Sequence, residues 1–332
     1  LYAFGFDNAA VLNGGWQKWR AEARPVSTEP CDYAATNLTA QQQPGSGPGL
    51  VPGGAMKDRD AFLPRDQLDE ADKIHVISEA MRRAYRDRAD FLGDPDFSDI
   101  ETKKLISIAY ADSLAEDLSL EKATPSTVLA PLNKKKESED TTHFSVLDEH
   151  GNRVAATLSI NYPFGAAFVA PGTGVLLNNE MDDFSASPLI PNAYGLIGTH
   201  ANSIQPGKRP LSSMTPTFLE TEDKVGILGT PGGSRIISMV LVSSLEFVRD
   251  QKPKIWVEKE RFHHQYMPDI LQFEKNGLST DIQDRLRSKG HVIKEINRRY
   301  GNMQAILWHK TENKVYAASD PRGEGSAQKT RN

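Results

Sequence analysis

The sequence predicts a layered α+β fold, with helices covering stacked sheets, and three stretches carry that prediction. In the first, His143-Phe144-Ser145-Val146-Leu147 alternates polar and apolar residues, and Glu149-His150-Gly151-Asn152 supplies turn chemistry. Val154, Ala156, Leu158 and Ile160 then set apolar groups on one face of a second strand, which makes a hairpin. In the second, a short strand from Val225 to Thr230 runs into Pro231-Gly232-Gly233-Ser234 and the apolar helix IISMVLVSSLEFV. In the third, MQAILWHK and KVYAASDPR form a closing pair of strands around a turn from Thr311 to Lys314.

Residues 1–28 contain GFDNAAVLNGGWQKWRAEARPV, which resembles the closing strand and helix of a rhodanese-like sulfurtransferase domain. One strand and one helix bury no core by themselves. Cys31, the single cysteine, lies on the wrong side of that segment for sulfur transfer. Residues 29–65 shift to Gly, Pro, Gln and Ala around QQQPGSGPGLVPGGA, the composition of a flexible linker. Residues 66–140 read as helical. Ile74, Ile77, Met81, Ala84, Tyr85 and Arg88 fall at helical spacing before the stop at Gly93-Asp94-Pro95. A second helix is predicted from Glu101 to Leu118, with Leu105, Ile106, Ala109 and Leu114 inward. Residues 141–332 hold the strand-rich part. After the hairpin, FGAAFVAPGTGVLLNNEMDDFSASP predicts a short apolar strand handing over to a polar cluster from Asn178 to Asp183, and LQFEKNGLSTDIQDRLRSKGH predicts a strand and a helix.

Composition narrows the function classes. At 332 residues, 38% hydrophobic and 25% charged, the chain has the make-up of a soluble globular protein with a sizeable core. A net charge of −5 gives no electrostatic case for nucleic acid, and Lys134-Lys135-Lys136 is offset at once by Glu137, Glu139 and Asp140. One cysteine excludes an internal disulfide framework. No apolar run reaches the ~18 residues of a membrane span, and LYAFGFDNAA lacks the basic start of a signal peptide. His263-His264 has no partner at metal-ligand spacing, so no metal and no cofactor are predicted.

Two stretches carry chemistry. Thr141-Thr142 stands where the hairpin begins, and such a pair opens a strand as readily as it supplies a nucleophile. A catalytic threonine needs a base, and its own α-amine, with a pKa of about 7.7 to 8, serves once the chain is cut before it. At Gly232 and Gly233, a strand, a glycine turn and a helix N-terminus together present backbone N–H groups to an anion.

Four motifs, TTHFSVLDEHGN, NNEMDDFS, KRPLSSMTPT and GTPGGSR, occur in that order and closely resemble the γ-glutamyltransferase (γ-glutamyltranspeptidase) family over about residues 66–322. The resemblance implies an N-terminal nucleophile hydrolase, an αββα sandwich formed by self-cleavage between Asp140 and Thr141. Residues 66–140 would then be the C-terminal part of an incomplete large subunit and 141–332 the small catalytic subunit, the two staying associated after cleavage. Thr141 resembles the nucleophile, and Ser159 stands where the family usually has a second threonine. Asn161, Glu180 and Asp183 match positions that hold the α-amino and α-carboxylate ends of the glutamyl group. Ser212 and Ser213 match the pair that bonds the α-carboxylate, Gly232 and Gly233 the oxyanion-hole glycines, and Tyr194 the tyrosine of a lid loop.

The implied activity is γ-glutamyl transfer from glutathione or a similar donor to an amino acid, a short peptide or water, in a periplasmic or extracellular setting. A non-catalytic remnant of such an enzyme is the alternative. Family members carry several hundred residues before the helix at Asp66, including an arginine that pairs with the substrate α-carboxylate. No arginine of this chain is assigned that role from sequence.

Overall fold

A computed structural model describes residues 68–129, 141–185, 190 and 196–329. The expectations for residues 1–28 and 29–65, for Asp140 and for Tyr194 lie outside those residues. Residues 169–175 belong to a separate unit, in which the Ala170 N–H donates to the Val175 carbonyl. The main unit holds every element named below and is mixed α+β.

Its helical part begins with α1 (Glu70–Phe91), capped by Asp69, whose carboxylate accepts from the Asp72 N–H at 3.0 Å. The spacing of apolar residues suggests one buried stripe, yet α1 is buried on more than that stripe: Glu79, Arg82 and Arg83 are enclosed with Ile74, Met81 and Tyr85. Mutual pairing makes this tolerable, since the Glu79 carboxylate accepts from Arg82 Nε at 3.1 Å and Arg83 at 2.7 Å. Ala84, expected in the inward row, is exposed.

The predicted helix from Glu101 to Leu118 is two pieces, α2 (Thr102–Leu105) and α3 (Ile108–Ala115). Ser107 breaks it by capping α3, its hydroxyl accepting from the Tyr110 N–H at 3.2 Å. Ile106 and Ala109, read as inward, are exposed. One short turn, α4 (Ser126–Leu129), follows.

The hairpin is present as β1 (Thr141–Leu147) antiparallel to β2 (Arg153–Ser159), with Thr141 opposite Ser159. Its apolar face, Phe144, Val146, Val154 and Leu158, points outward and is 45–51% exposed. The polar face, with Thr141, His143 and Ser145, lies against a four-stranded sheet of β3 (Thr217–Glu220) and β4 (Lys224–Gly229), completed by β8 and β9 below. The expected short strand after residue 164 is a set of turns rather than a regular strand.

Helices α5 (Ile236–Val248) and α6 (Pro253–Glu258) cover the other face of that sheet, where Leu228 packs with Met239, Phe247 and Trp256. A second, three-stranded sheet joins β5 (Phe262–His263), β6 (Leu271–Phe273) and β7 (Ile293–Glu295), with α7 (Thr280–Ser288) between the last two. The chain closes with β8 (Gln304–His309) and β9 (Lys314–Ser319), antiparallel as predicted. Helix α5 belongs to two cores. Val242 faces α1 and the three-stranded sheet, while Ile236, Met239 and Val240 face the four-stranded one.

Candidate active site

At Gly229 a side chain would collide with the His143 ring, since an added Cβ would lie 2.2 Å from it. The glycine lets β1 approach β4 closely. His143 then binds Thr157 Oγ1 at 2.7 Å and Ser145 Oγ at 3.1 Å, and burial pushes its pKa down to about 4, so the ring is neutral. Thr141, two residues earlier, shares the same inward face. Its hydroxyl lies 3.3 Å from Ser159 Oγ, which also accepts from the Asn161 N–H at 2.8 Å.

Asn161 is buried and left-handed, with φ of 72°, a conformation that asparagine tolerates better than most residues. It donates from Nδ2 to the Asn179 carbonyl at 3.0 Å, and Asn179 Oδ1 accepts from the Tyr162 N–H at 3.0 Å. These bonds tie the end of β2 to the 3₁₀ turn Glu180–Asp183 and so bring the Glu180 carboxyl beside Ser159, with Asp183 next to it. Burial and the adjacent Glu180 push Asp183 up to about 7, and burial raises Glu180 as well. Two carboxyls this close do not both ionise easily without a cation between them.

Beyond β4, the chain turns at Gly232 with φ of 146°, where an added Cβ would lie 2.4 Å from Met239 Cε. The 3₁₀ turn Gly233–Arg235 leads directly into α5. Thr141, Ser159, Asn161, Glu180, Asp183, Ser212, Ser213 and Gly233 line a single narrow cleft with Met214 and Ile236. Gly232 is adjacent and buried, and Ser212 is the most exposed of the serine pair.

Residues 17–330 match the family described as gamma-glutamyltranspeptidase. The chain belongs to the γ-glutamyltranspeptidase family. The match begins inside the 1–28 segment. Among curated relatives, the glutathione hydrolase proenzyme of Escherichia coli strain K12 is 43% identical over 257 residues, covering 76% of this chain and 43% of that protein. The proenzyme of Pseudomonas aeruginosa is 36% identical over 321 residues, 93% of this chain and 54% of that one. This γ-glutamyltranspeptidase family member thus spans about half the length of the curated relatives it matches. Among solved structures, an acivicin-inhibited γ-glutamyltranspeptidase is 44% identical with a TM-score of 0.53, covering 55% of this chain and all of that one. A cephalosporin acylase from Bacillus halodurans, 22% identical with a TM-score of 0.63 over 78% of this chain and 45% of that one, shares the fold.

Helix α1 contributes to this region in a way the spacing analysis missed. Tyr85 donates its hydroxyl to the Ser234 carbonyl, and Arg88, one turn on, donates to Ser213 Oγ at 2.9 Å. The available signal was a row of inward positions that ends in a phenol and a guanidinium instead of aliphatic residues.

The adjacent histidines are core residues. His263 bonds Ser238 Oγ at 2.6 Å and Gln265 Oε1 at 2.8 Å, and His264 bonds Asp269 at 3.1 Å. A separate trio, His75, Glu79 and His291, brings possible metal ligands within 4.8 Å of one another. Its Glu79 carboxylate already accepts from Arg82, Arg83 and the Thr124 N–H, and its two histidines bond each other at 2.7 Å. Two guanidiniums at the only carboxylate make this a poor cation site.

Proposed function

We propose that the protein carrying this chain hydrolyses and transfers the γ-glutamyl group of glutathione-like compounds through an ester on Thr141, after self-cleavage between Asp140 and Thr141. The observation that carries this reading is the meeting of residues from four separated motifs in one cleft. The relatives named glutathione hydrolase proenzyme support both the substrate class and the processing step.

In this reading the Thr141 hydroxyl attacks the γ-carbonyl and passes its proton to its own α-amine, a base suited to neutral pH. The N–H groups of Gly232 and Gly233 receive the oxyanion, and removing one such donor elsewhere costs about 3 to 4 kcal/mol. The protonated α-amine then delivers its proton to the departing amine, which leaves the acyl ester. Water, an amino acid or a short peptide attacks that ester in the second half of the cycle. Glu180 and Asp183, with Asn161, hold the substrate ammonium, and Ser212 and Ser213 donate to its α-carboxylate. Tyr194 is assigned to a lid over the donor. Ser159 keeps the hydroxyl of a threonine without its methyl group, so its hydrogen bond to Thr141 is retained.

We read the fold as an N-terminal nucleophile αββα sandwich in which this chain supplies one helical layer and most of two sheets. The apolar outer face of β1 and β2 fits a further covering layer from large-subunit residues. Processing of the natural protein, followed on denaturing gels with N-terminal sequencing, tests the reading. A fragment beginning at Thr141, and turnover of a γ-glutamyl anilide that Thr141→Ala abolishes, are expected. A folded but uncut wild type, or full turnover by Thr141→Ala, overturns it.

A further inference from the structure

Arg88 is enclosed at 8% exposure, yet among the described residues it makes one side-chain hydrogen bond, to Ser213, and no ion pair within 4.0 Å. A guanidinium stays charged even when buried, and a buried cation without a carboxylate partner is costly. It interacts electrostatically with the Asp183 carboxyl, with which it lines a small cavity that shares Asp183 with the cleft. That carboxyl is itself raised by burial and by Glu180, so near neutrality it supplies only part of a countercharge. The bond to Ser213 has a direction. A guanidinium only donates, so the serine oxygen accepts, and its own hydrogen must point elsewhere. Among the described residues no protein group accepts that hydrogen, and Ser213 lines the cleft.

We propose that Arg88 is a positioning residue for donor binding: it fixes the Ser213 hydroxyl as a hydrogen-bond donor facing the cleft and supplies, through that serine, positive charge for an anionic group of the substrate. The inference rests on the donor-site reading above and deepens it, because the group in question is the carboxylate of the γ-glutamyl donor. A hydroxyl whose oxygen receives a charged N–H is polarised, so its own hydrogen donates more strongly. The spacing Tyr85–Arg88 makes the same face of α1 hold both the turn at Ser234 and the serine loop.

The test uses the natural protein with a pair of donors, γ-glutamyl-4-nitroanilide and 4-aminobutanoyl-4-nitroanilide. The second keeps the amine and lacks the α-carboxylate, and is read as KM or as an inhibition constant against the first. Arg88→Gln is expected to raise KM for the γ-glutamyl compound about tenfold, leaving kcat within about threefold and affinity for the aminobutanoyl compound unchanged. Arg88→Lys, which keeps the charge, recovers most of that loss. In a Ser213→Ala background Arg88→Gln adds little, because the serine is the route. Equal losses on both donors, a loss confined to kcat, or a lysine variant no better than glutamine overturns the inference. Should Arg88→Gln not fold, the ratio of the two affinities is read in Arg88→Met, which keeps an unbranched side chain and removes the charge. A wild type without γ-glutamyl turnover, or a Ser213→Ala variant with unchanged KM, instead defeats the donor-site reading beneath it.

Discussion

Asp183 shows most directly how surroundings give a residue its role. It sits beside Glu180 and is pushed up to about 7, so its carboxyl is about half-protonated near neutrality. A substrate ammonium placed there favours the ionised form, so donor binding is coupled to proton release. KM for a γ-glutamyl anilide is therefore expected to rise as pH falls from 8 to 6, and to do so less in Asp183→Asn. A KM independent of pH across that interval contradicts the assignment. Asp183→Ala should cost at least ~2 kcal/mol of transition-state binding, a more than tenfold fall in kcat/KM. The threonine that follows Thr141 behaves differently. Thr142 points to the exposed side of β1, so Thr142→Ala should leave both processing and turnover intact. Loss of cleavage there would place the reacting threonine one residue later.

At the scale of elements, the turn between β4 and α5 is the least forgiving part of the site. Gly232 combines a positive φ with Met239 Cε only 2.4 Å from where a Cβ would stand. Gly232→Ala must either shift Met239, which packs in the core beneath α5, or distort the turn itself. A loss of roughly 1 to 3 kcal/mol of stability is expected, with turnover falling further than stability alone explains. Urea unfolding alongside kcat measurement checks this, and a fully active, equally stable variant would rule out a strained oxyanion turn. The element α1 carries a comparable burden through side chains instead of backbone. It reaches the glycine turn at Ser234 with Tyr85 and the serine loop with Arg88.

For the whole molecule, buried histidines set the acid limit. Burial lowers His143 to about 4 and His263 and His291 to about 3, and it lowers His75 and His264 as well. Each is neutral in the fold and would be charged in the unfolded chain below 6.5. Their contribution is thus fully present above pH 6.5 and is lost as pH falls from 6.5 toward 4, at up to ~1.4 kcal/mol per histidine per pH unit. The raised carboxyls Asp90, Glu180 and Asp183 act in the opposite direction over part of this window, but they are fewer. The urea midpoint is expected to drop between pH 7.5 and 5.0, and a constant midpoint would show that these rings are hydrated. A second property is the outward apolar face of Phe144, Val146, Val154 and Leu158. Expressed as residues 1–332, the polypeptide should bind a hydrophobic dye, and Val146→Thr with Leu158→Thr should reduce that binding. Undiminished binding would locate the exposed surface elsewhere.

Local sequence determined the hairpin, the strand–glycine turn–helix unit and the closing strand pair, because period-two alternation and turn chemistry are written within ten or so residues. The four motifs likewise contain Thr141, Glu180, Asp183, Ser212, Ser213 and Gly233, which line one cleft. Three things were decided only by tertiary structure. Periodicity marks an apolar face but not what it meets, so the hairpin's apolar side faces outward and its polar side, with Thr141 and His143, faces the sheet. Helix α1 looked amphipathic, but ion pairs among Glu79, Arg82 and Arg83 let polar residues enter its buried surface, and a charge pattern on one helix does not reveal which neighbours enclose it. Arg88 was one more position in a helical row until folding brought it to Ser213, 125 residues along the chain. Such a contact depends on how α1, the serine loop and the 3₁₀ turn of Asp183 pack together, and pairwise spacing in a single sequence carries no record of that packing.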